Sequence, residues 1–184
     1  MDVIDFHTHT FLSDGDLGPE ELIQRATVKG YKAIGITDHC DETTLDCLIE
    51  KMLILKKRVN TFNIKVIPGI ELTHILPSKI KKFVKRAREK GIPLVIVHGE
   101  TPVEPVREGT NKEAIIAGAD ILAHPGHITL EEIKMTIDNN VYLEITARKG
   151  HSLFNGYLYK YFQKYNFPVI CSSDAHSADD LLTE

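Results

Sequence analysis

The sequence predicts an α/β barrel, and three observations lead to this fold class. Short apolar runs alternate with longer segments of helical periodicity along the chain. The runs are nearly continuous in apolar residues, as in AIGI and PLVIV, which is typical of parallel strands covered by helices. No glycine-rich dinucleotide fingerprint follows the first strand. Together these features favour a closed or distorted β/α barrel over a doubly wound sheet.

Seven segments have the length and apolar content of buried strands. They are residues 3–6, 33–37, 65–70, 93–97, 121–123, 141–145 and 169–172. Six helical segments separate them, and several carry end signals such as Pro19 at a first turn and Gly30 or Gly91 just past a last turn. The helices are predicted at residues 19–29, 43–62, 78–90, 111–117, 130–139 and 152–165.

The chain end, SADDLLTE, is expected to start a further helix at Ser177. That helix would stop after little more than one turn, so either the protein ends there or a C-terminal helix is truncated. Residues 1–184 are otherwise expected to form one domain, because their number is sufficient to bury a substantial core.

Composition excludes several classes of protein. The net charge is −4, so no global positive field recruits nucleic acid or an anionic membrane. The basic run KIKKFVKRAREK on the third helix is expected to be a solvated face, although a nucleic-acid backbone site stays open. The sequence contains no apolar run long enough to cross a membrane. Cys40, Cys47 and Cys171 are expected to be reduced thiols, so we expect a cytoplasmic protein.

Acidic or histidine side chains lie at the carboxyl end of every predicted strand, and the mouth of a parallel barrel is where those ends converge. Nine of these side chains, including one on the loop after the first strand, are candidate metal ligands. They are His7, His9, Asp14, His39, Glu71, His98, His124, Asp174 and His176. Imidazole and carboxylate suit Zn, Mn or Fe, and nine ligands exceed the roughly four that one ion takes, so two or three divalent ions are predicted.

The motifs HTHTFLSDG, GITDH, PGIEL, VHGE, AHPG and SSDAH follow one another over nearly the whole chain. In this combination they resemble the PHP (polymerase and histidinol phosphatase) superfamily. The resemblance implies a distorted seven-stranded (β/α)7, TIM-like barrel that holds three ions, commonly Mn, Fe or Zn. It also implies hydrolysis of phosphomonoesters such as histidinol phosphate, or phosphodiester and exonuclease chemistry.

Carried over by position, the resemblance implies three ligand sets with Glu71 bridging the first two. The sets are His7, His9, Glu71 and Asp174 for the first ion, Glu71, His98 and His124 for the second, and Asp14, His39 and His176 for the third. Asp14 is therefore expected to lie nearer His39 and His176 than Glu71 does.

Further residues at the predicted mouth bear on the substrate. The stretch EITARKGHS supplies Arg148, Lys149 and His151, and Arg148 is suited to hold phosphate oxygens in a bidentate contact unless it is a solvated loop charge. The expected mechanism is attack by a hydroxide that bridges two ions. The leaving group would be protonated by a metal-bound water, or by His176 or His39 if displaced from metal.

Other polar residues near the strand ends have structural explanations. Asp38 is expected to cap or pair on the opposite strand face, and Cys40 to pack in the core. Glu100 is a rim residue that could orient a ligand, whereas His74 and His127 are expected to be exposed on loops. Glu144 has two readings, because it could orient a ligand histidine or Arg148, or belong to a polar layer of the barrel.

A metal-dependent phosphoesterase with a small phosphorylated substrate is the leading function. A nuclease with a basic groove and an accessory module that binds metal without turnover remain alternatives. An amidohydrolase also begins with His-x-His on a barrel strand, but it needs a modified lysine at a mid-barrel strand end. VIVHGE and PGIEL offer no lysine there.

Overall fold

The computed structural model describes residues 2–183, which form a nearly closed parallel barrel of seven strands with six helices. The barrel order is β1, β2, β4, β5, β6, β7 and β8, whereas the two-residue β3 follows β2 along the chain and pairs with β4. The strands are β1 (Val3–Asp5), β2 (Tyr31–Ile36), β3 (His39–Cys40), β4 (Lys65–Leu72), β5 (Leu94–His98), β6 (Ile121–Ala123), β7 (Tyr142–Thr146) and β8 (Val169–Ser172).

The helices connect successive strands and cover the outer face of the barrel. They are α1 (Pro19–Val28), α2 (Leu45–Lys56), α3 (Pro77–Glu89), α4 (Thr110–Ala117), α5 (Leu130–Asn139) and α6 (Asn155–Tyr165). Short 3-10 helices lie at Val59–Thr61 and His151–Phe154. α3 buries its apolar stripe, which includes Phe83, and leaves its basic residues outside, as the sequence predicts. Among residues 2–183, no helix is long and apolar enough to cross a membrane.

Backbone pairing beyond β1 and β8 closes the barrel. Thr8 forms a parallel bridge with Ala175. The N–H of His9 donates to the carbonyl of Ala175 at 2.8 Å, and the N–H of Asp174 donates to the carbonyl of His7 at 3.0 Å. On the other side, Thr37 N–H donates to the carbonyl of Thr8 at 2.9 Å. Residues 7–9 are therefore held between β2 and the segment after β8.

The barrel interior is divided into an apolar and a polar part. Inward-facing residues such as Leu94, Ile96, Ile121 and Ala123 form a small apolar cluster inside the barrel. A larger apolar core lies between the strands and the helices. The interior beyond the apolar cluster, toward the carboxyl ends of the strands, is filled by buried histidines and carboxylates.

The predicted fold class is confirmed, and the differences concern single elements. α2 ends at Lys56 rather than 62, since Val59, Asn60 and Thr61 have low helix propensity, and a 3-10 turn follows at these residues. The short β3 was not anticipated. Residues 177–180 form a turn instead of the predicted helix, because Asp180 accepts from the N–H and hydroxyl groups of Ser177. Residue 184 lies outside the described residues.

Gly35 is required by the closure of the barrel, because a Cβ at this position would lie 2.3 Å from the carbonyl oxygen of Phe6. We expect Gly35→Ala to lower the free energy of unfolding by about 2–3 kcal/mol, measured by urea denaturation. Gly156→Ala is the matched control, since no atom lies within 4 Å of its Cβ position and it is exposed on α6. The control should raise stability by about 0.5–1 kcal/mol. Equal stabilities of the two variants would contradict the packing argument.

Candidate metal centre

The extension of β1 places two histidines inside the barrel. Residues i and i+2 of an extended chain share a face, so His7 and His9 both point inward and their Nε2 atoms lie 3.0 Å apart. Thr8 points the other way, where its hydroxyl donates to the carbonyl of Gly35 at 2.6 Å. Both histidines are fully buried, so the position of each imidazole is set by the closing strand pair.

Glu71 on β4 lies among four of the histidines. Its Oε2 is 2.7 Å from Nδ1 of His39, 3.3 Å from Nε2 of His7 and 3.6 Å from Nε2 of His9. Its Oε1 is 3.8 Å from Nε2 of His124. Burial alone would raise the pKa of Glu71, but the charges of His39 and His7 outweigh it and hold that pKa well below its ordinary value. Neither oxygen has a hydrogen-bond partner of good geometry.

Asp174, just after β8, faces the same histidines from the other side. Its Oδ1 is 3.1 Å from Nε2 of His9 and 3.8 Å from Nε2 of His7, and its Oδ2 is 3.6 Å from Nε2 of His124. Burial, opposed by His7 and reinforced by Glu144 and Glu71, raises the pKa of Asp174 to about 7.

Two residues of this centre have left-handed backbones although neither is glycine. Asp174 has φ 55° and His124 has φ 26°. This region is unfavourable for residues with a Cβ, and such residues persist when the surrounding structure holds them. The N–H groups of both are anchored, that of Asp174 by the carbonyl of His7 and that of His124 by a carboxylate oxygen of Glu144 at 3.0 Å.

Glu144 on β7 orients His7 from behind. Its Oε1 lies 2.7 Å from Nδ1 of His7, while its Oε2 takes the N–H of His124. Burial would lower the pKa of His7, but Glu144, Glu71 and Asp174 raise that pKa well above its ordinary value. Of the two partners considered from the sequence, the histidine is therefore the one Glu144 contacts. Arg148 instead lies 3.5 Å from Asp180.

Asp14, His39 and His176 meet at the rim of the centre, together with His9. Asp14 Oδ2 is 3.2 Å from Nε2 of His176, and its Oδ1 is 3.8 Å from Nε2 of His39. The expectation that Asp14 lies nearer His39 than Glu71 does is wrong, because Glu71 is 2.7 Å from that ring. The reason is strand register: His39 on β3 is the direct pairing partner of Glu71 on β4, and their side chains share a face.

Of the expected set Glu71, His98 and His124, Glu71 lies 3.8 Å from Nε2 of His124, and the ring centroids of His124 and His98 are 4.3 Å apart. His98 does not take part in the ion contacts of Glu71 within the described chain. It groups with His124 and His151, each ring offering a nitrogen within 4.8 Å of the others. Burial and His98 lower the pKa of His151 to about 4, so its imidazole is neutral at pH 7.

Glu104, on the loop before α4, was not singled out from the sequence. Its Oε2 lies 3.2 Å from Nε2 of His98. The sequence feature that could have indicated Glu104 is the presence of a carboxylate in the loop after β5, the strand that ends at His98. Loop conformation decides whether such a residue turns inward, and the sequence does not specify it.

The remaining polar candidates have mostly structural contacts. Asp38 accepts from Thr10 N–H at 2.7 Å and from the Ser13 hydroxyl at 2.9 Å, so it fixes the loop that carries Asp14. Glu100 and Asn111 exchange hydrogen bonds at the start of α4. The others follow their predicted environments, with Cys40 buried and His74 and His127 on exposed loop positions.

The donor set fits divalent ions on physical grounds. Several buried polar atoms of the centre lack hydrogen-bond partners, which is costly unless something binds them. They are Oε1 and Oε2 of Glu71, Oδ1 of Asp174, Nδ1 of His9, Nε2 of His98 and Nδ1 of His124. Imidazole nitrogens and carboxylate oxygens with no cysteine among them suit ions such as Zn, Mn or Fe.

Glu144→Gln should weaken metal binding about 10–100-fold, because the amide keeps the shape but loses the charge that orients His7. Calorimetric titration of the metal-free protein with Zn or Mn measures the effect. Glu108→Gln, an exposed position on the loop before α4, serves as the control and should bind as the original chain does. Unchanged affinity in Glu144→Gln would show that His7 needs no such support.

Comparisons with known proteins agree with this architecture. The family profile described as PHP domain matches residues 5–96. An uncharacterized protein of Methanocaldococcus jannaschii is 45% identical over 98% of this chain and 84% of its own. The ribonuclease P protein component 3 of Methanococcoides burtonii is 28% identical over 91% of this chain and 69% of its own.

A solved structure shares the fold. The histidinol phosphate phosphatase of Lactococcus lactis, determined with zinc, L-histidinol and phosphate, superposes with a TM-score of 0.66 and 16% identity. The match covers 95% of this chain and 86% of the other. With a profile that spans residues 5–96 and a close relative over nearly its full length, the chain belongs to the PHP family.

Proposed function

We propose that the protein is a metal-dependent phosphoesterase that hydrolyses a small phosphomonoester with two to three divalent ions. The observation that carries the proposal is the buried Glu71, whose two oxygens lack hydrogen-bond partners while imidazoles surround them. Divalent ions, when bound, supply a nucleophile derived from water at neutral pH and neutralise the charge of phosphoryl oxygens.

The residues divide into three sets around this carboxylate. His7, His9 and Asp174 would share the first ion with Glu71, which their mutual contacts under 4 Å support. Asp14, His39 and His176 would hold a further ion at the rim, where His9 also approaches. His98 and His124 would hold the remaining ion with Glu71, which lies 3.8 Å from His124.

Arg148 is proposed to hold the phosphate. It lies after β7 at the mouth, half-buried, and its Nη1 is 3.5 Å from Asp180. Asp180 also accepts from the N–H of His176, so the guanidinium is tethered beside the rim of the centre. His39 or His176, each partly exposed there, would protonate the leaving group if displaced from the rim ion, and a metal-bound water would do so otherwise.

The size and charge of the mouth favour a small substrate. Two open pockets, with volumes of about 290 Å³ and 330 Å³, adjoin the centre at His39 and Ser13. Among residues 2–183, the lining of the first includes no lysine or arginine, so it lacks the cations that would follow a polynucleotide backbone. A histidinol phosphate-like ester or a nucleotide is the substrate class we propose.

An accessory RNA-binding role is the second candidate. Similarity to a ribonuclease P protein component favours it. Such a role would use exposed Lys and Arg side chains on the phosphate backbone and has no need of buried histidines around an unpartnered carboxylate. We therefore place hydrolysis first.

The leading proposal is tested with Mn-loaded protein on p-nitrophenyl phosphate, its bis-ester, histidinol phosphate and a short RNA. We expect turnover of monoesters, and a loss of about 1,000-fold or more in kcat for Glu71→Gln, because ions on either side of this residue lose a shared ligand. Glu108→Gln is the control. Absence of turnover on every substrate with metals bound would refute the enzymatic function, and RNA binding in that protein would support the accessory role.

Arg148→Lys tests phosphate recognition. Lysine keeps the charge but cannot form a planar bidentate contact, so KM for the monoester and the inhibition constant of inorganic phosphate should each rise about 10-fold. Arg25→Lys, on the exposed face of α1 beside Glu21, is the matched control and should change neither. If Arg148→Lys left both constants unchanged, Arg148 would be only a partner of Asp180.

A further inference from the structure

A trough extends from the rim of the centre along one face of α2. Its first part has a volume of about 330 Å³ and opens at His39 and Ser13. Its second part, of about 370 Å³, meets the first at Leu12 and Lys51, whose side chains line both. The residues of α2 and its N-cap that border the trough recur at helical spacing, namely Thr44, Cys47, Leu48, Lys51, Ile54 and Leu55. At the rise of an α-helix, this face is about 16 Å long.

The second part of the trough presents apolar side chains to solvent. Phe11, on the loop after β1, and Ile54, on α2, both line it, and their side chains are 63% and 56% exposed. Leu55 adds to this apolar lining, whereas Arg58 and Glu20 at its border pair with each other. An apolar group in this part of the trough would therefore remove the surface of two large side chains from water.

The Phe11 ring is positioned by the loop that also carries Asp14. The N–H of Phe11 donates to the carbonyl of Leu17 at 2.9 Å, which closes the loop. A Cβ at Gly18 would lie 2.9 Å from Cε1 of Phe11, so the ring packs directly against this glycine. Asp14 in the same loop reaches the rim of the centre. One short segment thus places both an exposed aromatic ring and a candidate ligand of the rim ion.

The first part of the trough has a lining suited to the part of an ester that adjoins its phosphate. Among residues 2–183, this lining contains Lys51 and no carboxylate. A phosphate dianion at His39 would meet no like charge there, and an amino group on the alcohol would find no partner. The lining therefore favours an alcohol that carries no positive charge.

We infer that the trough binds the alcohol part of the substrate, and that this alcohol is elongated, uncharged and ends in an aromatic ring. The inference rests on the proposed function and names the alcohol that hydrolysis would release. With the phosphate beside His39, the alcohol extends past Leu12, and its ring contacts Phe11 and Ile54. Two aromatic rings gain from offset or edge-to-face packing in addition to burial. Phe11 and Ile54 are thus specificity residues that touch the substrate away from the reacting atoms.

Two esters with leaving alcohols of nearly equal acidity, propyl phosphate and 3-phenylpropyl phosphate, test the inference on the Mn-loaded full-length chain. We expect kcat/KM to be about 10–30-fold higher for the phenylpropyl ester, because its ring leaves water for the trough. Phe11→Ala and Ile54→Ala should each lower this ratio about 3–10-fold. Ile137→Ala, which truncates another exposed isoleucine on α5, is the matched control and should leave the ratio unchanged.

Cys47 allows a second measurement that needs no turnover. Its thiol lines the first part of the trough and is exposed, as is the thiol of Cys171 on β8, which does not line the trough. The non-hydrolysable 3-phenylpropylphosphonate, at ten times its dissociation constant, should slow alkylation of Cys47 by N-ethylmaleimide about 10-fold. Propylphosphonate at the same concentration should protect Cys47 less, and neither compound should change the rate at Cys171.

The results separate this inference from the proposed function. Equal kcat/KM for the two esters together with an unprotected Cys47 would overturn the inference and leave the phosphoesterase in place. Protection of Cys47 without turnover of any ester would support the trough as a binding site and refute the phosphoesterase. If Phe11→Ala fails to fold, Ile54→Ala on the exposed face of α2 decides, and an unchanged ratio in that variant counts against the inference.

Discussion

Parallel pairing between residues 7–9 and 174–175 is the contact on which the centre depends. It joins segments from opposite ends of the chain and converts an open sheet into a nearly closed barrel. His7, His9 and Asp174 belong to this pairing themselves, so fold closure and assembly of the site are one event. Contacts of such sequence separation carry a loop-closure cost, which the contacts of the intervening helices and strands must offset.

The buried polar groups of the centre reduce the free energy of unfolding that closure of the barrel provides. The charges of His39 and His7 outweigh desolvation at Glu71, but burial prevails at Asp174, and several buried polar atoms of the centre lack hydrogen-bond partners, which costs free energy. Ions that bind the folded chain and not the unfolded one would shift the balance by mass action. The apolar cluster inside the barrel, at the other end of the strands, supplies hydrophobic burial without any such cost.

The barrel could be predicted because apolar runs and helical periodicity are local signals, and the strand-end donors because parallel strands must converge. Which of those donors lie together was harder to predict from the sequence. The strand β3 lies outside any apolar run, yet its register puts His39 against Glu71. Glu104 and His151 are on irregular segments, whose direction depends on loop packing. The turn at residues 177–180 was mistaken for a helix because the same side-chain hydrogen bonds begin both.

Relief of the left-handed backbone strain at His124 and Asp174 by substitution would conflict with the function of their side chains. Each such residue costs on the order of 1 kcal/mol, more for histidine than for aspartate, and glycine would remove that cost. The same replacement would leave a cavity where a buried side chain stood and would remove a candidate metal donor at each position. At both positions the backbone bears strain that places a donor side chain in the centre, and a stabilised scaffold should leave both residues unchanged.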